Sequence, residues 1–372
     1  MASKSTKTRI VLLDAHAILH RAYHALPDFT SPQGEPVGAL FGISSMLMAI
    51  AEELKPDHLL ACYDLPEKTF RHEAYAEYKA GRQKTDEALV AQMIRSRDIF
   101  TTFGVPIYEM PGYEADDLLG TLADALKKDK QNEIIIASGD MDTLQLVDKK
   151  RVQVYTLKKG IKDTIMYDET AVLERFGFPP KLLIDYKGLR GDPSDNIPGI
   201  QGIGEKTATE LITAFGSIEK IYTALKKKDG EAVFKEAGIK PRVIGLLKDG
   251  EDEARFSKEL ATIQRTLAVD ATLPEKSWLE ALDHEAIVAL FQELGFRTLT
   301  ARFKQRFGGS GVAEVEAKPE VVDPGELQET ALALWLLHSD TTNPTLDDIL
   351  GYAGTRQFAE ARQKIMADLA TE

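Results

Sequence analysis

Cysteine is nearly absent, with Cys62 standing alone. A single thiol excludes an internal disulfide framework and a cysteine-built zinc site. It lies in the apolar run HLLACY, where a buried structural thiol is expected. Long apolar stretches are also missing, and none approaches the roughly 20 residues that a membrane-spanning helix needs. The N-terminus, MASKSTKTR, is basic but leads straight into a strand-like run. It lacks the apolar core and cleavage site of a signal peptide, so a cytoplasmic location is expected. An excess of positive charge is lacking too: 46 Lys and Arg face 59 Asp and Glu, a formal net charge of −13. That argues against a surface coated with cations for unspecific nucleic-acid binding. It still allows acids gathered in one site and basic groups grouped elsewhere. No repeat of solenoid length occurs, and the seven histidines are scattered.

What is present fits a globular protein. Of 372 residues, 43% are hydrophobic and 28% charged, and the length suggests two domains and an appendage. The organising stretch runs from Gly112 to Asp142, GYEADDLLGTLADALKKDKQNEIIIASGDMD. Glu114, Asp116 and Asp117 fall in the first turn of an expected helix, where the helix dipole favours acids. Capping needs only one of them. An apolar run, Ile134 to Ala137, then ends in a turn carrying Asp140 and Asp142. Two further apolar runs also end in aspartate: RIVLL at Asp14 and HLLACY at Asp64. Asp14 alone could be a helix cap. Three such endings in a region alternating strand and helix converge on one edge of a parallel sheet. Acids so crowded repel unless neutralised, and a hard divalent cation with oxygen ligands is the natural neutraliser.

Gly38 to Leu54 reads as a core helix stopped by Pro56. From Lys68 to Arg97, basic residues alternate with Phe70, Tyr75 and Tyr78, a mixture suited to phosphates and base faces. The bland alternative is a solvated amphipathic helix. Arg151 to Ile165 has the character of a β-hairpin, and a domain boundary is expected near Asp168. Beyond it lies LRGDPSDNIPGIQGIGEKTATELITAFGS, with Asp192 and Asp195 ahead of a glycine-rich turn and a helix starting near Glu205. Gly199 and Gly204 are spaced as in a P-loop, but Glu205 follows where lysine is required and no strand leads in. An ATP site is therefore rejected in favour of a helix-hairpin-helix turn on duplex DNA, with Lys206 reaching a phosphate. The lysine runs between 218 and 303 read as solvated faces. Residues 304–325 read as a linker, and 326–372 as a helical tail too small for an independent core.

In these residues the chain resembles the 5′ nuclease family, and within it the 5′–3′ exonuclease region of bacterial DNA polymerase I. The resemblance covers residues 9–303 and rests on LLDAHAILHRAYHA, FRHEAYAEYKAGR, GYEADDLLGTLA, ASGDMDTLQLV and GLRGDPSDNIPGIQGIGEKTA, in the family's order. Ala15 and His16 depart from the glycine and serine usual in the bacterial relatives. The tail is similar to a fragment of the proofreading-type domain that follows in such polymerases.

The resemblance implies an α/β fold: a PIN-like domain at 1–168 with a mostly parallel sheet and a basic arch at about 68–97. It implies a helical helix-three-turn-helix region at 169–303, then the linker and helical tail. It implies magnesium or manganese, two ions. One group of ligands would be Asp14, Asp64, Glu114 and Asp116, the other Asp117, Asp140, Asp142, Asp192 and Asp195. Lys79 and Arg82 would act on the scissile phosphate. Arg21, Tyr23, Phe70, Arg71, Tyr78, Gly202, Gly204 and Lys206 would join them in holding DNA, and potassium would sit at the glycine-rich turn. The expected activity is 5′–3′ exonuclease and 5′-flap endonuclease action by a monomer. Whether a separate DNA polymerase partners it stays open. The rivals are a PIN-type ribonuclease, which needs neither arch nor helix-hairpin turn, and a non-catalytic junction binder, which needs no nine acids.

Overall fold

A computed structural model describes residues 7–26, 29–82, 84–159, 163–308, 322–337, 344–353, 355 and 357–371. Six strands form one sheet: β1 (Thr8–Asp14), β2 (His58–Cys62), β3 (Ile107–Tyr108), β4 (Asn132–Ala137), β5 (Val152–Lys159) and β6 (Asp163–Tyr167). Their order is β3-β2-β1-β4-β5-β6. All neighbours are parallel except the β5–β6 pair, the expected hairpin. Strand β1 is buried on both faces from Ile10 onward, as a parallel sheet covered by helices demands. The chain moves from β1 outward to β2 and β3, then returns to β4 on β1's other side. The resulting crevice lies at the carboxyl ends of β1 and β4, where ligands of such sheets collect. Register places Asp14 beside Cys62, and Leu13 beside Ala137.

The chain forms two compact units, and neither is a contiguous piece. The first takes in residues 1–18, 56–86 and 105–278. Its core is continuous from Ile10 and Leu12 on β1, through Leu118 and Leu122, to Leu189, Leu211, Phe234 and Leu247. The sheet and the helices after Asp168 share one apolar interior. Residues 68–97 likewise do not form one element. They comprise a five-residue helix, Phe70–Ala74, a series of turns, and part of the helix Glu87–Thr102, and the division between units falls at Asp86.

The second unit takes in residues 19–55, 87–104 and 279–372. The helix Gly38–Leu54 is formed as expected and stops at Lys55, which adopts φ 48° and donates its N–H to the Ala51 carbonyl. Phe103, Phe291 and Phe303 pack together. Most of the expected linker lies outside the described residues. The tail helices Pro324–Leu337, Leu346–Ala353 and Phe358–Thr371 bury Leu334, Ile349, Phe358 and Ile365 among themselves. The middle one also packs on Arg297–Phe307, so the tail docks within its unit. Among the described residues no helix is long and apolar enough to cross a membrane.

In the first unit the helix Leu183–Arg190 turns into the helix Glu205–Phe215 through positive φ at Gly191 (78°), Gly199 (62°) and Gly202 (91°). A Cβ on Gly199 would fall 2.1 Å from the Gly191 nitrogen. Steric overlap and left-handed backbone both forbid a side chain there. Gly199→Ala is expected to cost about 2–4 kcal/mol. Gly245→Ala, at a mid-helix site open within 4 Å, should be neutral or slightly stabilising. Urea unfolding midpoints of the two variants check this.

Candidate active site

Asp14 closes β1 and starts the helix Ala15–Ala25, accepting the Ala17 N–H at 3.0 Å and the Ser138 hydroxyl at 2.6 Å. It therefore caps the helix and also occupies the crevice. Asp64 follows β2 and accepts the Ala115 N–H at 2.7 Å, which pins the start of the helix Ala115–Leu126 to the sheet edge. Asp140 caps the short 3-10 turn Met141–Leu146, accepting from the Asp142 N–H. Its own N–H donates to Ser138 Oγ. Ser138 thus links Asp14 to Asp140 across neighbouring strands.

Electrostatics show which acids meet. Burial raises Asp14 to about 6, and Asp64 and Asp140 add to the rise. Asp116 is held well above the usual carboxylate range by burial and then by Asp140, Asp14, Asp142 and Asp64. It has no hydrogen bond or ion pair among the described residues. Burial also raises Asp142 to about 6, against the pull of Lys187. Asp64 is the exception: His16 Nδ1 lies 3.1 Å from its Oδ2, and His16, the Ala115 N–H and Lys79 outweigh burial and lower it.

The remaining predicted ligands are already paired. Lys187 bridges Asp142 and Asp192, reaching Asp192 Oδ2 at 2.5 Å. With Ser194, it outweighs burial and lowers Asp192. Glu114 accepts from Lys79 Nζ at 2.8 Å and from the Tyr78 hydroxyl at 3.2 Å. Asp195 accepts from Arg82 at 2.5 Å and from Tyr78 at 3.1 Å. Among the described residues these side chains do not close into a ready-made metal shell. The donor set nevertheless suits a hard cation: it is oxygen only, crowded, and at Asp116 without any counter-charge.

Three expectations need correction. Asp117 is fully buried and takes four donors: both Arg71 terminal nitrogens (2.8 and 2.9 Å), the Glu114 N–H (3.1 Å) and the Gln264 N–H (2.8 Å). A carboxylate offers about four lone-pair sites, so none remains for a metal. Arg71, expected on DNA, is 2% exposed and also bonds the carbonyls of Leu260 and Thr262. Tyr78, expected to stack on bases, is 3% exposed, with its hydroxyl held between two acids.

Other expected contacts are better placed. Phe70 is half-buried against Tyr113. Arg82 and Lys206 are exposed, and Gly204 caps the helix that Lys206 enters. Lys79 adopts φ 57°, a conformation that costs a lysine about 1 kcal/mol or more and that tends to persist at functional sites. Arg21 and Tyr23 belong to the second unit, where Tyr23 packs edge-on against His24. Lys187 and Ser138 escaped the sequence reading. Lys187 precedes the LRGDPSD motif by two residues, and its only signal is one of two cations, with Arg190, on the short helix that leads into that motif. Ser138 is visible only as the hydroxyl between a strand end and Asp140.

The raised Asp14 sets a pH dependence. A carboxyl raised in the fold favours folding while protonated, and that advantage is lost as pH rises through its folded value. In metal-free protein, Asp14→Asn should therefore raise the melting temperature at pH 7. The gain should shrink as pH falls through about 6 and vanish near the ordinary aspartate value. Thermal melts in EDTA across pH 4–8 measure it.

Comparisons with known proteins agree with this architecture. Residues 9–177 match the family model for the 5′–3′ exonuclease N-terminal resolvase-like domain, and residues 178–284 that for the 5′–3′ exonuclease C-terminal SAM fold. DNA polymerase I of Bacillus caldotenax is 39% identical over 298 residues, covering 80% of this chain and 32% of that one. DNA polymerase I of Bacillus subtilis is 36% identical over 317 residues, covering 85% and 34%. The chain thus spans about a third of the length of these curated relatives. In fold it is similar to the bacteriophage T5 flap endonuclease solved with DNA and metal ions, with TM-score 0.55, 18% identity, and 81% and 100% of the two chains covered. It is also similar to the catalytic core of Rad2 in complex with DNA substrate, with TM-score 0.51, 16% identity, and 78% and 90% covered. With both family models matched in succession, from the strand that carries Asp14 to beyond the glycine-rich turn, the chain belongs to the 5′–3′ exonuclease family.

Proposed function

We propose that this chain hydrolyses DNA phosphodiester bonds at 5′ ends and 5′ flaps in a metal-dependent reaction, in the cytoplasm, during replication and repair. The observation that carries the reading is Asp116, ringed by Asp14, Asp64, Asp140 and Asp142 with no cation of its own. Asp14, Asp64, Glu114 and Asp116 would hold one Mg²⁺ or Mn²⁺ ion. Asp140, Asp142, Asp192 and Asp195 would hold a second, with Asp140, which raises both Asp116 and Asp142, beside both groups. Bound ions of this kind lower the pKa of water and clamp the attacking and leaving oxygens.

The chain's own part is positioning and charge. Ser138 and the Ala17 N–H orient Asp14, and the Ala115 N–H orients Asp64. Lys79 and Arg82 stand at the acids' rim, where they would stabilise charge building on the phosphate. The exposed Lys206, one residue inside its helix, would hold a duplex phosphate. Main-chain carbonyls of the Gly199–Gly204 turn are the proposed potassium ligands. A DNA polymerase on a separate chain would extend the 3′ end that faces the 5′ end trimmed here, a partnership suggested by relatives named DNA polymerase I, of whose length this chain spans about a third.

The deciding assay is cleavage of a labelled 5′-flap duplex with Mg²⁺, beside an EDTA control and an RNA single strand. The double variant Asp116→Asn, Asp140→Asn should lose cleavage by at least about a thousandfold while still binding DNA. Cutting at the parental rate would refute the site. Lys206→Ala should weaken duplex binding and flatten its dependence on salt by about one counterion's worth, read by fluorescence anisotropy at several salt concentrations.

A further inference from the structure

Lys187 lies near the end of the helix Leu183–Arg190. Its ammonium contacts Asp142 Oδ1 and Asp192 Oδ2, while Asp192 Oδ1 is held by the Ser194 N–H (2.9 Å) and hydroxyl (2.6 Å). All three charged side chains are largely shielded, at 14%, 20% and 13% exposure for Lys187, Asp142 and Asp192. Three other acids of the crevice are treated differently. Asp14, Asp116 and Asp140 have no basic partner among the described residues. One set of carboxylates therefore waits for a counter-charge, and the other already has one.

A Mg²⁺ ion held by Asp142 and Asp192 would need their oxygens about 2.0–2.1 Å away. The space between those oxygens is where Lys187 Nζ now sits. Ion and ammonium exclude each other. We propose that Lys187 is an internal counterion that occupies the second cation position and yields it when a substrate phosphate draws its ammonium away. This rests on the nuclease reading above and adds an order of events. The first ion binds to uncompensated acids, whereas the second must displace a lysine. A lysine suits this role, since its flexible stem carries a point charge that can swing from carboxylate to phosphate. By linkage, phosphate and second ion then favour each other's binding by the same factor.

The experiment is a Mn²⁺ titration of the full chain, by calorimetry and by the paramagnetic resonance of free Mn²⁺. It is run with and without a phosphorothioate 5′-flap duplex, subtracting Mn²⁺ bound by the duplex alone. Wild type should bind one ion tightly and a second weakly, and the duplex should tighten the second. In Lys187→Met the second ion should bind about tenfold tighter without DNA, and the duplex should no longer help it. Lys187→Arg keeps the charge and can fork both carboxylates, so it should hold the second ion off at least as strongly as wild type. Unchanged or weaker second-site binding in Lys187→Met overturns the proposal. Should that variant fail to fold, as judged by circular dichroism, tighter second-site binding in Lys187→Arg overturns it instead. If Asp116→Asn leaves the tight ion in place, the nuclease site is misassigned. If it removes the tight ion while the lysine variants change nothing, only the counterion role falls.

Discussion

Like charges crowded at the end of a parallel sheet are the constraint around which this molecule is built. Asp116 is raised by burial and then by four other carboxylates, and at close range in a partly shielded crevice such repulsion is strong. The fold spreads the load. Asp64 is tied to His16 and a helix N–H, and Asp192 and Asp142 to Lys187. Glu114 and Asp195 are tied to Lys79 and Arg82. What stays uncompensated is concentrated at Asp14, Asp116 and Asp140. Destabilising charge kept in one place, with stabilising pairs all around it, fits the proposal of a cation supplied from outside.

The sheet was legible because its rules are local. Apolar runs ending in aspartate marked β1, β2 and β4, and the acids after them fell at one edge as the topology requires. The glycine-rich turn was legible for the same reason: its glycines answer to backbone angles and close approach. The unit boundaries were not, because residues 19–55 and 87–104 leave the first unit and pack with segments after 279. No composition shift marks such an interleaved division.

Within the site, residue type was easier to read than residue state. Asp116 and Asp117 are adjacent acids in one motif, yet one points into the crevice and the other is saturated by Arg71 and main-chain N–H groups. A helix turns about 100° per residue, so neighbours in sequence take different surroundings. Arg71 and Tyr78 looked like surface contacts because basic and aromatic residues alternate there. The helix Phe70–Ala74 instead points Arg71 inward, and the turns after it bring Tyr78 inward, each onto acids from distant segments.

Arg71 joins positions far apart in the chain. It bonds Asp117, and also carbonyls 189 and 191 residues downstream at Leu260 and Thr262, while Asp117 accepts from Gln264. During synthesis, the nascent polypeptide can build its sheet well before that stretch leaves the ribosome. Until then the Arg71–Asp117 pair lacks three of its five other partners, and an under-satisfied buried pair costs several kcal/mol (about 3–5 when one side is lost altogether). Translation therefore has to pass Gln264 before the Arg71–Asp117 pair gains its full set of partners.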